Sequence, residues 1–242
     1  MKKLHKLRGQ KGFTLVELAI VLVIIGLLIG GILKGQQLID NARVTAQMSQ
    51  FQSVQAATTS FQDAYAALPG DMLNVANRVP NIGACAAGDG NGIVGIPGGT
   101  PNTDSWQKGS TGENLCFWAE LSGAGYLTGI AQPDTAVFGQ GLPQAKLGAG
   151  LVVADLTTAP WSGLYVVTLQ STQNSQDAAG VNSMTPAQAA QIDRKMDDGN
   201  PTSGSILGAG DTANCGNGAN VANASYLEKS TTKDCDISFK LQ

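Results

Sequence analysis

The chain has 242 residues, enough for one or two domains with a sizeable core, and its 14% charged residues and 31 glycines do not describe a disordered chain. Five of its fifteen basic residues, Lys2, Lys3, Lys6, Arg8 and Lys11, precede the first apolar segment, so the remaining ten stand against eighteen acids and leave a body near −8. Such a body repels nucleic acid, and no nucleic-acid partner is expected.

The apolar segment "FTLVELAIVLVIIGLLIGGIL", Phe13 to Leu33, has 21 residues. At about 1.5 Å per helical residue it spans roughly 30 Å, the thickness of a bilayer's hydrocarbon. The basic flank before it and the nearly neutral "KGQQLIDNAR" after it place the N-terminus in the cytoplasm and everything beyond Lys34 outside. A secretory signal peptide needs a small-residue cleavage site after its apolar core, whereas here polar sequence runs straight into helix-forming residues. A plain signal anchor gives no reason to keep Glu17, whose charge costs about 2.5 to 3.5 kcal/mol at mid-membrane depth and less near the end. Gly26, Gly30, Gly31 and Gly35 form two small-xxx-small pairs, a spacing that permits close approach between helices, although glycine is common in membrane helices in any case.

"KGFTLVELAIVLVIIGLL" behind a short basic leader resembles the type IV prepilin signature shared by type IV pilus subunits and type II secretion pseudopilins. The resemblance implies that a prepilin peptidase/methyltransferase removes residues 1–12 by cutting after Gly12, and that the new terminus, Phe13, is N-methylated. It further implies partners: copies of the chain and related pilins in a filament, an inner-membrane assembly platform, and lipid before assembly. Glu17 then has a purpose, because the ammonium of one subunit's Phe13 can be neutralised by the carboxylate of a neighbour inside an apolar filament core. Many family members carry a proline in this helix and this chain does not. The resemblance ties that proline to local melting of the helix on assembly, and this chain's glycines, each weakening a helix by about 1 kcal/mol relative to alanine, are the candidates to serve instead.

Beyond the apolar segment, Val44, Met48, Phe51, Val54, Thr58, Phe61, Tyr65 and Leu68 recur at three- and four-residue steps, which predicts one buried stripe on a continued helix. Pro69 and Gly70 are expected to stop it, leaving an uninterrupted helix over residues 14–68. Residues 69–242 hold 25 of the glycines and read as a loop-rich head. "LVVADL" (151–156) and "LYVVTLQ" (164–170) predict a hairpin joined by "TTAPWSG", and "ISFKL" (237–241) a further strand. "ENLCFWAEL" predicts a short helix with Ser110 and Glu113 at capping-box spacing. Another begins at Pro186 with Thr185 as N-cap and Gln188 reciprocating, and ends before Gly199.

Cys85, Cys116, Cys215 and Cys235 all lie in the predicted exported head, where an even count favours two disulfides. No C-x-x-C spacing suggests zinc or redox chemistry. Of three connectivities, Cys85 with Cys116 and Cys215 with Cys235 close the shortest loops, the latter similar to the C-terminal disulfide loop of many pilins. An enzyme is not expected, since the one histidine, His5, lies in the leader and no carboxylate pair stands out. "AGDGNGIVG" offers Asp89 and Asn91 in a calcium-loop spacing, but with Asp89 first, Ile93 occupies the third ligand position and Thr100 that of the bidentate glutamate, so it reads as a glycine-rich turn. "QGLPQAKLGAG" lacks the lysine and following helix of a phosphate loop.

In "PAQAAQIDRKMDDGNPTSG", Asp193 and Asp197 repel on one helical face, and Asp197 and Asp198 oppose the C-terminal dipole. Either Arg194, Lys195 or a backbone amide of the turn satisfies them, or Asp193, Asp197 and Asn200 coordinate calcium, which stabilises some pseudopilin heads of the resembled family. Apart from that ion no cofactor is expected. The expected fold is α+β: a leader (1–12), a transmembrane or filament-core helix (13–33), its amphipathic continuation (34–68) and an exported head with an antiparallel sheet (69–242). The expected function is a structural subunit of a type IV pilus-like filament, passing from a bacterial inner membrane to an extracellular pilus or a periplasmic pseudopilus. The alternatives are a type II secretion pseudopilin and a membrane-anchored binding module that never polymerises.

Overall fold

The computed structural model of the protein describes residues 12–85, 88–95, 112–131, 135–148, 150–156, 163–169, 184–210, 215–216, 224–233 and 235–242. Residues 1–11 of the leader, Thr100, Ser110 and the 157–162 connection lie outside the described residues. The chain divides into two units, Met1–Ala42 and Arg43–Gln242, and one helix, α1 (Leu15–Tyr65), contributes to both. In the first unit the residues from Phe13 to Leu33 are all exposed, with Phe13 at 83%. It is the one described helix long and apolar enough to cross a membrane.

In the second unit the stripe predicted from spacing is the buried face: Val44, Phe51, Val54, Thr58 and Phe61 are buried together with Gln47 and Ala57. Gln47 is anchored through its Oε1, which accepts the Lys146 N–H at 2.8 Å, while its Nε2 has no hydrogen-bond partner among the described residues. The helix ends at Tyr65, three residues before the expected Leu68, because Ala66 takes a left-handed conformation at φ +53°. Arg78 closes that end, donating to the Tyr65 carbonyl at 3.0 Å with its guanidinium 5.4 Å from the Tyr65 ring centre. A cation suits the negative end of the helix dipole.

The head carries one four-stranded antiparallel sheet, with β1 (Gly150–Leu156), β2 (Gly163–Leu169), β3 (Ile206–Gly210) and β4 (Cys235–Lys240) in the order β1-β2-β4-β3. The register places Val153 opposite Val166, Val166 opposite Phe239, and Phe239 opposite Ile206. Leu151 to Ala154 and Leu164 to Thr168 are continuously buried, the pattern of strands covered on both faces. Phe239 stacks on Phe51 of α1 at 5.3 Å between centroids. Of the two short helices, α2 (Glu113–Gly123) packs on β1, where Asn114 Nδ2 donates to the Val153 carbonyl at 2.7 Å, and α3 (Pro186–Met196) packs on β3 and β4.

Thr185 and Gln188 form the reciprocal capping box expected for α3. The box expected for α2 does not form: Gly112 is the N-cap without a side-chain bond, so Glu113 is the first helical residue rather than the third. Its carboxylate is used elsewhere.

Two disulfides join Cys85 to Cys116 and Cys215 to Cys235. The second closes a 20-residue separation and ties a loop to β4. By chain entropy it contributes about 3 kcal/mol. Cys215→Ser should therefore lower the unfolding midpoint by roughly 6 to 12 °C, given about 2 to 4 °C per kcal/mol at this size. Non-reducing peptide mapping checks the pairing directly, and a Cys116–Cys215 peptide would overturn it.

Candidate functional site

At the start of α1 the residue types set the geometry. Thr14 is the N-cap and Glu17 the third helical residue, and the two bond reciprocally: Glu17 Oε2 accepts the Thr14 N–H at 2.8 Å and its hydroxyl at 3.0 Å, while the Glu17 N–H donates to Thr14 Oγ at 3.2 Å. This is the T-x-x-E capping box. The spacing is written in "TLVE", and it gives Glu17 a local partner beside the pairing with Phe13 that its charge suggests. The box satisfies helix N–H groups that hydrocarbon would leave without partners, which lessens the cost of keeping a carboxylate there.

Phe13 and Glu17 are exposed, and Gly12 precedes them in an irregular segment. Gly26, Gly30, Gly31 and Gly35 lie on the same helix, and a Cβ added to any of them would meet nothing within 4 Å. Nothing among the described residues demands glycine at these positions. The exposed apolar face around them, including Leu22, Leu27, Leu28 and Ile32, is far larger than a soluble monomer leaves in water.

Among the described residues the second unit holds two groups of clustered acids. At the end of α3, Asp193, Asp197 and Asp198 each present an oxygen within 4.8 Å of the others. Every one of these carboxylates has donors. Asp193 accepts the Gly199 N–H at 2.9 Å and the Tyr226 hydroxyl at 2.8 Å. Asp197 accepts from the backbone of Ser205 and Ile206, and Asp198 from Asn200 N–H and Ser203 Oγ. Asn200 Oδ1 faces Thr202, accepting its N–H and hydroxyl. Arg194 pairs with Glu228 rather than with these acids. Burial pushes Asp193 up to about 6, and burial with the neighbouring acids raises Tyr226.

The other group was not anticipated. Leu68-Pro69-Gly70-Asp71 forms a turn closed by Asp71 N–H to the Leu68 carbonyl at 3.3 Å, with Gly70 at φ +87° as the third residue of a type II turn. The turn brings Asp71 to the glycine-rich loop. Asp71 accepts Asn91 N–H at 3.0 Å and Gly92 N–H at 2.8 Å, and Glu113 accepts Asp89 N–H at 3.2 Å and Gly95 N–H at 2.8 Å. Oxygens of Asp71, Asp89 and Glu113 lie within 4.8 Å of one another. Burial raises Asp71 and pushes Glu113 up to about 7 and Glu120 up to about 8. The sequence signal was partial, since "GDGNG" marks the loop and nothing nearby marks the two carboxylates that clasp it.

Against known proteins, the family model described as the prokaryotic N-terminal methylation motif matches residues 7–33. This is the prepilin motif of type IV pilins and pseudopilins, and it covers the capping box, Phe13, Glu17 and the exposed apolar helix. No curated protein and no solved structure matches the chain. The motif supports a pilin- or pseudopilin-like role and points to a structural rather than an enzymatic protein. It implies processing by a prepilin peptidase and assembly with other pilins, and with the apolar helix it is consistent with membrane anchoring.

Proposed function

We propose that the chain is a structural subunit of a type IV pilus-like filament, cut after Gly12, N-methylated on Phe13 and assembled through the first part of α1. The observation that carries this reading is the coincidence of the methylation motif with a segment whose apolar side chains, from Phe13 to Leu33, are exposed among the described residues. A plain anchor needs the apolar surface and can use Glu17 as a helix cap, but it has no need of the methylation motif. In a filament the surface is covered by copies of itself and by related pilins. Glu17 uses Oε2 for its own helix cap, so its other oxygen can meet the ammonium of a neighbouring Phe13.

The test is mass spectrometry of the native N-terminus combined with recovery of sheared filaments. A chain beginning at methylated Phe13 and present in filaments is the expected result. Gly12→Val should leave an uncut precursor in the membrane. Glu17→Ala should be cut normally but fall at least tenfold in filament incorporation. A native chain that keeps its leader, or that is cut but never leaves the membrane fraction, would return the protein to an anchored binding module.

A further inference from the structure

We propose that Asp71, Asp89 and Glu113 form a calcium site in the head, assembled from three separate segments around the "GDGNG" loop, with buried Glu120 adding a fourth negative charge.

Two features of the loop set the frame. Asp89-Gly90-Asn91-Gly92 matches positions 3 to 6 of an EF-hand loop, [DN]-x-[DN]-G, in which the sixth residue must be glycine. Gly92 has φ +84°, a conformation other residues rarely adopt. The same frame puts Ala87 and Gly98 at positions 1 and 12, where carboxylates belong. The fold supplies those carboxylates from a distance: Asp71 from the turn after α1 and Glu113 from the start of α2, each bonded to the loop backbone. Counting Asp89 as the first ligand, as the sequence invites, hides this arrangement.

Three oxygens within 4.8 Å of one another are close to the spacing of ligands that share one ion at about 2.3 to 2.6 Å, and a slight closing of the group brings all three into that range. Each already accepts a hydrogen bond or can do so, and a carboxylate oxygen has a second lone pair for a cation. Hard oxygen donors on an irregular loop suit calcium better than magnesium, which demands near-ideal octahedral geometry, and exclude soft-metal preference.

Glu120 supplies an independent observation. It lies seven residues after Glu113, on the same face of α2, and is 0% exposed. Its Oε2 accepts the N–H of Gly70, the residue before Asp71, at 2.7 Å, while its Oε1 is buried with no hydrogen-bond partner among the described residues. The charges of Asp71 and Glu113 both act on it. No described lysine or arginine forms an ion pair with Asp71, Glu113 or Glu120. A buried carboxylate oxygen without a donor is costly, and a divalent cation beside it removes the cost. Solvent reaches the loop through a cleft of about 490 Å³ lined by Asp71, Gly90, Gly92, Leu68 and Arg78.

The experiment uses the full chain in detergent, stripped with chelator and titrated with calcium chloride, with binding measured by calorimetry and unfolding by tryptophan fluorescence. One ion per chain with a Kd of about 10⁻⁵ to 10⁻³ M is expected. At a hundredfold excess over that Kd the unfolding midpoint should rise by about 5 to 10 °C. Asp89→Asn should weaken binding at least tenfold with an unchanged circular dichroism spectrum, and Glu120→Gln should weaken it about tenfold. Asp198→Asn, in the other acidic group, should leave it unaltered. Absence of binding to the wild-type chain overturns the proposal, as does binding that survives Asp89→Asn but is lost in Asp198→Asn. Calcium affinity unchanged in Glu120→Gln would remove that residue from the site.

Discussion

Gly70→Ala is expected to lower the unfolding midpoint by about 6 to 16 °C. Gly70 has φ +87°, where an L-residue costs about 1 to 2 kcal/mol. The added Cβ would also run into the Glu113 carbonyl oxygen and stand 3.1 Å from Phe117 N, both backbone atoms of α2 that cannot swing aside. Either α2 withdraws from the turn or the turn opens, and the Gly70 N–H bond to buried Glu120 is lost with it. Together the effects amount to about 3 to 4 kcal/mol, converted at about 2 to 4 °C per kcal/mol. Gly125 provides the control, since its φ is +80° and a Cβ there would meet nothing within 4 Å. Gly125→Ala should show the conformational cost alone, about 2 to 8 °C. If thermal scans give the two variants equal losses, close packing of α2 on Gly70 is not what fixes that glycine.

The elements that the sequence made legible are those whose pattern is local. Phe51, Val54, Thr58 and Phe61 announce their buried face by spacing, and Thr185 with Gln188 announces a helix start by chemistry. The β1 and β2 runs were visible as continuous apolar segments. By contrast, β3 is "ILGAG", too short and too rich in glycine to stand out, and it is a strand because β4 offers it a partner from Ile206–Phe239 to Gly210–Cys235. The early end of α1 depends on one left-handed residue, Ala66, which no alanine advertises. Least legible was the group around Asp71. Its members are separated by eighteen and twenty-four residues, and they meet only because a type II turn at Gly70 and the Cys85–Cys116 bridge fold three segments together.

The same burial that conceals these acids in sequence makes the head's stability depend on pH, in a direction opposite to that of a protein held by salt bridges. In chelator, Glu120 titrates near 8 in the folded chain against 4.5 when exposed, chiefly because burial disfavours its charge. Between those values the folded state holds a proton that the unfolded state has released, so stability falls as pH rises through the window and levels off above it. Asp193 acts in the same sense from 3.8 to about 6, through burial opposed by the bonds from Tyr226 and Gly199. Asp71, Glu113, Asp197 and Asp198 surround these groups with further negative charge, which reinforces the trend. Glu120 alone accounts for a few kcal/mol. The unfolding midpoint of the full chain in detergent and chelator should therefore drop by about 5 to 10 °C between pH 6 and pH 8.5. Glu120→Gln, which has no proton to lose, should show a clearly smaller drop, the part left to Glu113 with its carboxyl pushed up to about 7, and should unfold above the wild type at pH 8.5. A wild-type midpoint that is flat or rises over this range would mean that Glu120 is ionised in the folded chain and that an ion or donor already satisfies it.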